Sequence, residues 1–496
     1  MSAMRDLTKK RMFFLFFLLL LGCLFVPKFA FASGTDGHND PVASVVLWVT
    51  LIFFFGLMGR YAAQLLKQPG VLGELLMGVL LGNICYFFGL PLAVVLREGA
   101  AVFDIMGDVL SGASVAKAVY TTIPTLPEAQ QVTAVLKSAS GVDLIRVAYV
   151  VDSFSRYGVI FLLFMVGLET SIDEIKHTGT ESLRVALLGV FSPIICGFLV
   201  TLFLIPMASV KTDLFLAATL SATSVGITAR VLKEMKKLRT REAKTIMGAA
   251  MIDDVLGLII LAMVSSVVLT GVVNMTTLGH VLLQVILFFT GVLLMGPWAL
   301  RWMVKLFQFL EPWESKLVIS FIFVMSLSWL ATAAQLASII GAFAAGLIIH
   351  DGFFDGHALD GKRDTQIREL VAPLESLLAP LFFMLIGIQV KLEAFLDWHV
   401  LLIAAGLTIA AVIGKLVSGF GAAKKDDRLL IGIGMLPRGE VGLVFASIGR
   451  TLGVLSDDLF SAIILMVIIT TFIAPPWLKA RYAKHPSVKP KKVNHA

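Results

Sequence analysis

The sequence predicts an all-α, polytopic membrane protein of about 13 transmembrane helices, two of them discontinuous, organised as inverted repeats. Composition is the first reason: 58% of the 496 residues are hydrophobic, 15% are charged and the mean hydropathy is +0.90, a balance that excludes a soluble globular domain. Segment length is the second. Apolar runs bounded by charged clusters recur at roughly 20 residues, enough to cross about 30 Å of hydrocarbon at about 1.5 Å per helical residue. A closed β-barrel would need period-two alternation, which these runs lack. Third, two runs are interrupted at mid-length by Gly, Ser, Thr and Pro, the mark of helices that break inside the membrane.

Taken in order, residues 1–33 put Lys9, Lys10 and Arg11 before the apolar stretch Met12 to Val26 and then Ala30-Phe31-Ala32, the layout of a cleaved secretory signal peptide. An uncleaved first helix, or a cut before Cys23, is the alternative. Residues 42–66 and 71–90 read as spans. The segment 91–153 fits no span: with Pro124, Pro127 and amphipathic pieces it reads as a helical extracellular insertion capping the bundle. Further spans are expected at 154–170, 181–207, 213–232, 243–271, 276–307, 315–335, 337–351, 374–390, 398–422, 427–449 and 457–479, followed by a basic tail, 480–496. Beyond the leader, Cys85 and Cys196 sit in apolar surroundings and read as packing residues.

An odd number of spans puts the termini on opposite sides. With the mature N-terminus outside, the inside loops receive the basic cluster of 230–244, Lys362, Arg363, Lys424, Lys425, Arg428 and the cytoplasmic C-terminal tail, while the outside loops hold few basic residues. That is the positive-inside asymmetry of a multi-pass protein of the cell membrane. The net charge of +7 then reports orientation and contact with an anionic leaflet, so nucleic acid is not an expected partner.

The run GAAMIDDVLGLIILAMV places Asp253 and Asp254 about ten residues from either end of its span. An acid at mid-membrane costs about 2.5–3.5 kcal/mol on insertion scales, so it faces a cavity, pairs with a base or handles ions. Neighbours on a helix point about 100° apart, so both acids can border one cavity. Desolvation and mutual repulsion favour holding protons, and a bound cation favours the ionised forms, which suits the pair to exchanging one for the other. Lys415, deep in its span, is the candidate counter-ion. LSATSVGITARV packs Ser221, Thr223, Ser224, Gly226 and Thr228 together, and IGIGMLPRGEVGLVF holds Gly432, Gly434, Pro437, Gly439 and Gly442. Both should break mid-membrane, so that spans 4–6 match spans 11–13. Arg438 and Glu440, inside the second break, are candidates for compensating half-helix ends. His177, His350 and His357 read as loop residues.

On the segments FLLFMVGLETSIDEI, SATSVGITARVL, AAMIDDVLGLI, ASIIGAFAAGLIIH, PLFFMLIGIQV and GMLPRGEVGLVFA, in that order, the chain resembles bacterial sodium/proton antiporters of the second monovalent cation/proton antiporter family, the NapA type, to which the Kef potassium-efflux proteins also belong. The resemblance covers about 42–480, apart from the insertion. It implies two crossing broken helices and a homodimer in the bacterial inner membrane. The dimerisation domain would come from 42–90, 154–170 and 315–390, and the mobile ion-translocation core from 181–271 and 398–479, with 276–307 as linker helix. It also implies Asp254 as main cation ligand, Asp253 as partner of Lys415, and Thr223 and Ser224 as auxiliary oxygen ligands. The expected activity is electrogenic exchange of sodium or lithium for protons, without a cofactor. The competing readings are potassium/proton antiport or potassium efflux, and sodium-coupled symport of an organic solute. No nucleotide loop, metal-ligand cluster or nucleophile arrangement suggests an enzyme.

Overall fold

The computed structural model describes residues 42–484 except 67, 100, 124–125, 139, 170–178, 236, 238–239, 271–274, 308, 335 and 355–364. The expected leader, the tail beyond 484, and His177 and His357 lie outside the described residues.

Nineteen α-helices and no strand occur among the described residues. Helices α1 (Ala43–Leu65) and α2 (Gly70–Phe87) form the first two expected spans. Four short helices follow: α3 (Pro91–Arg97), α4 (Ala101–Leu110), α5 (Val115–Thr122) and α6 (Leu126–Leu136). The third span, α7, runs from Gly141 to Glu169, so the expected boundary at 154 is corrected: 141–153 belongs to the spanning helix. Its polar start carries pairs one turn apart, Arg146 with Asp143 and Arg156 with Asp152, which support the helix there.

Next come α8 (Thr180–Leu204), then α9 (Val210–Thr219) and α10 (Val225–Glu234) with a non-helical link at 220–224, and α11 (Arg241–Thr270). Helices α12 (Met275–Leu306), α13 (Pro312–Ala333), α14 (Ser338–Ile348) and α15 (Ile367–Gln389) follow. Then come α16 (Trp398–Ser418), α17 (Arg428–Gly434) and α18 (Glu440–Thr451), separated by 435–439, and α19 (Asp457–Lys484).

Ten of these helices are long and apolar enough to cross a membrane. The three remaining expected spans are the two broken pairs and α14, whose 11 residues reach only about 17 Å. Of the 337–351 expected as a span, residues 338–348 are helical. Helix α15 starts seven residues before the expected 374, running through Pro373 and Pro380, because isolated prolines remove single bonds that neighbouring helices can offset.

Two groups of helices emerge from the packing. In one, α15 packs on α7, α2 and α1, α14 lies on α7 and α13, and the short helices α3–α6 lean on α2, α7 and α15. In the other, α8 packs on α16, α11 and α9, while α16 and α18 pack on α19. The pairings α8 with α11 and α16 with α19 are equivalent under the repeat expected for spans 4–6 and 11–13. Helix α12 joins the groups, touching α11 on one side and α13 and α14 on the other.

Candidate ion-binding site at the crossing of the broken helices

The second group owes its centre to one close approach. Helices α8 and α16 touch where a Cβ on Gly414 would lie 2.5 Å from Pro193 Cα, so only glycine allows it. The contact brings the next residue, Lys415, into the middle of the group, opposite α11, with its Nζ 3.6 Å from where a Cβ on Gly189 would stand. Lys415 Nζ donates to both Asp253 oxygens at 3.2 Å, and neither side chain has any exposed surface. Thr223 lies close enough to interact with the same carboxylate. Asp254, 5% exposed, lies near enough for its charge to act on Lys415.

The two breaks cross beside these groups and are stitched by four hydrogen bonds. The Ser224 amide donates to Pro437 O at 2.8 Å, Thr223 Oγ1 to Met435 O at 3.3 Å and Thr228 Oγ1 to Gly434 O at 2.7 Å. Arg438, fully buried, donates from Nη1 to Ala222 O at 2.6 Å. That carbonyl lies just past the C-terminal end of α9, where the helix dipole leaves partial negative charge, so a guanidinium there is doubly favoured. Arg438 is also near enough to Asp253 for their charges to interact. A Cβ on Gly439 would stand 2.7 Å from Ser224 Oγ, which sets how closely the strands of backbone pass.

Unwound backbone inside a membrane helix can offer free carbonyl oxygens. Those of Ala222, Gly434, Met435 and Pro437 each already accept a bond from the opposite helix. The Asp253 and Asp254 carboxylates and the Thr223 and Ser224 hydroxyls lie at the same crossing. All four of these residues are buried, within one crossing. The Glu440 side chain lies outside the described residues; its backbone opens α18. His350 stacks on Phe353, remote in the sequence from the crossing.

Sequence reasoning passed over Glu74, fully buried on α2 and paired with Arg60 of α1, although an acid inside an apolar run is the same kind of signal that singled out Asp253. It also passed over Gly414 and Pro193, whose meeting no one-dimensional pattern announces.

Residues 49–481 match the sodium/hydrogen exchanger, transmembrane family. The chain belongs to it. This exchanger is 35% identical over 463 residues to the high-affinity Na(+)/H(+) antiporter NhaS3 of Synechocystis sp., covering 92% of this chain and 94% of that protein. It is 35% identical to the Na(+)/H(+)-K(+) antiporter GerN of Bacillus cereus, over 68% of this chain and 85% of GerN. An Na(+)/H(+) antiporter of Enterococcus hirae is 28% identical over 71% of this chain and 90% of its own. Among solved structures, the sodium proton antiporter MjNhaP1 of Methanocaldococcus jannaschii superposes with a TM-score of 0.55 over 90% of this chain and 98% of its own, at 16% identity, a likeness of fold. The NapA-type resemblance read from the motifs thus agrees with the family, which is one of multi-pass transporters.

Proposed function

We propose that this exchanger moves sodium or lithium against protons by alternating access at Asp253 and Asp254. The observation that carries the reading is the buried Lys415–Asp253 pair lying beside Asp254 at the crossing of two broken helices. A partly dehydrated alkali ion needs several hard oxygens and compensation of its charge. Two carboxylates with the Thr223 and Ser224 hydroxyls supply both. Asp254 is the main ligand and Asp253 the switchable one: when a cation arrives, Asp253 turns from the ammonium toward it, and when the cation leaves, protons or Lys415 restore balance. Buried charge without balance is costly, so the loaded and the protonated forms are the ones suited to crossing.

In the same reading, the second helix group is the mobile core, the first is a dimerisation scaffold in a homodimer, and α12 links them. The chain lies in the bacterial inner membrane with its insertion outside and its C-terminus in the cytoplasm, needs no cofactor, and catalyses no covalent chemistry. Exchange is electrogenic, because two acids can release more protons than one alkali ion replaces. GerN, whose name includes potassium, supports testing that ion as well.

The test is flux in proteoliposomes with an imposed proton gradient. Asp254→Asn should abolish sodium-dependent proton movement while the protein remains folded. Exchange at the wild-type rate in that variant rules out the assignment, and a rate indifferent to membrane potential rules out electrogenicity.

A further inference from the structure

The four short helices α3–α6 are joined to the two helix groups in different ways. To the first group they are joined by apolar packing: Val95, Ile105 and Val132 share one buried cluster with Phe55 of α1, Val147 of α7 and Met384 of α15. To the second group they are joined through charge. Arg450, in the last turn of α18, donates from Nη2 to the backbone carbonyl of Arg97 at 2.8 Å and from Nη1 to Gln389 Oε1 at 3.0 Å. Its Nη2 also lies 2.7 Å from Asp457 at the start of α19. Lys391, between α15 and α16, lies 2.6 Å from Glu128 of α6, 2.6 Å from Asp457 and 3.6 Å from Glu98. Arg97 in turn grips Glu393 with two bonds, at 2.6 and 3.2 Å.

These groups form a polar seam where the two halves meet on the insertion side. The Arg450 and Lys391 side chains are only 8% and 10% exposed, while their partners Asp457 and Glu128 are 34% and 29% exposed, so the seam is half-buried with its acids open to water. Beside it a cavity of about 370 Å³, walled by α7, α13, α14 and α15 on one side and α18 on the other, has Gln389 and Arg450 in its lining. The halves are thus pinned by polar bonds at a place where the space between them is otherwise open.

We propose that the inserted helices are a built-in brake on the exchange cycle: bonded to the scaffold by apolar packing, they hold the mobile core through Arg450, Asp457 and Lys391, and this seam must part each time the core moves. The inference rests on the alternating-access reading above. Charge-assisted bonds in a half-buried seam favour the closed arrangement yet can be exchanged for water when the halves separate, which fits a reversible contact.

The experiment measures maximal sodium-driven exchange in proteoliposomes together with thermal stability for Glu128→Gln and Asp457→Asn, one on each side of the seam. The brake predicts a maximal rate higher by roughly tenfold in each, the scale of losing one charge-assisted bond from the resting state but not from the parted one. Variants that melt as the wild type does and exchange no faster overturn it. A second measurement covers variants that fold poorly. In a background with the native cysteines replaced, Glu128→Cys with Asp457→Cys substitutes two residues whose carboxylate oxygens lie within 4.8 Å of each other. A short reducible linker joining the thiols should arrest exchange until it is cleaved, and exchange at an undiminished rate in the linked protein overturns the brake. Wild-type vesicles that exchange, beside Asp254→Asn vesicles that do not, keep the underlying reading intact whichever way these results fall.

Discussion

Replacing Lys415 with Met keeps most of the side-chain volume and removes the ammonium. Asp253 then loses two hydrogen bonds of 3.2 Å in a site where neither partner has exposed surface, and no water can reach the carboxylate without opening the helix crossing. Breaking a buried pair by removing one member costs about 3–5 kcal/mol, most of it the uncompensated charge left behind. Neutralising the orphan should recover most of that loss, because two uncharged groups of matching shape can be nearly neutral for stability. Lys415→Met is therefore expected to destabilise by that amount, and Asp253→Asn with Lys415→Met to lie far closer to the wild type, a coupling of several kcal/mol in the double-mutant cycle. Denaturant titrations of purified protein in mixed micelles, followed by circular dichroism, give the four stabilities. If Lys415→Met falls within about 0.5 kcal/mol of the wild type, the scatter of ordinary surface changes, Asp253 is not sealed with Lys415 and the geometric argument is wrong. A double variant as damaged as the single one refutes the coupling.

Gly414→Ala puts a methyl group 2.5 Å from Pro193 Cα, so α8 and α16 must separate and Lys415 must shift; overpacking of this kind costs about 1–3 kcal/mol, and half-saturating sodium in the flux assay should rise. Arg438→Met removes the bond to Ala222 O and the charge at the end of α9, with an expected loss of about 1.5–3 kcal/mol in the same titrations. The seam supplies a pH prediction. Burial opposes charge on Glu393, but the paired bonds from Arg97, a backbone hydrogen bond and the charges of Arg97 and Lys391 together outweigh it and hold the carboxyl below the ordinary glutamate range. The folded protein therefore keeps this group ionised to lower pH than the unfolded chain does. Its stabilising contribution, read as the melting difference between wild type and Glu393→Gln, should be fully present above about pH 4.3 and vanish as pH falls through the depressed value.

The positions of the helices were readable because hydropathy is a property of each segment taken alone. Boundaries moved where polar residues belonged to helices after all, at 141–153 of α7 and 367–373 of α15. The breaks at 220–224 and 435–439 were readable for the same local reason, the backbone freedom and side-chain competition of Gly, Ser, Thr and Pro. Asp253, Asp254, Lys415 and Arg438 stood out because charge inside an apolar run is expensive wherever it lands. Glu74 carried that signal too, and its structure answers it with Arg60 rather than with the ion site.

Sequence alone, then, determined the helical membrane class, the places where helices run and break, and the short set of buried ionisable groups, since each follows from the cost of moving one residue or one segment from water into hydrocarbon. Only the tertiary structure decided who meets whom. Lys415 reaches Asp253 across 162 positions, Arg438 reaches Ala222 across 216, and Arg450 reaches the insertion at Arg97 across 353. Those meetings depend on how closely particular backbones approach, as at Gly414 and Pro193, and such distances arise from the packing of many side chains at once.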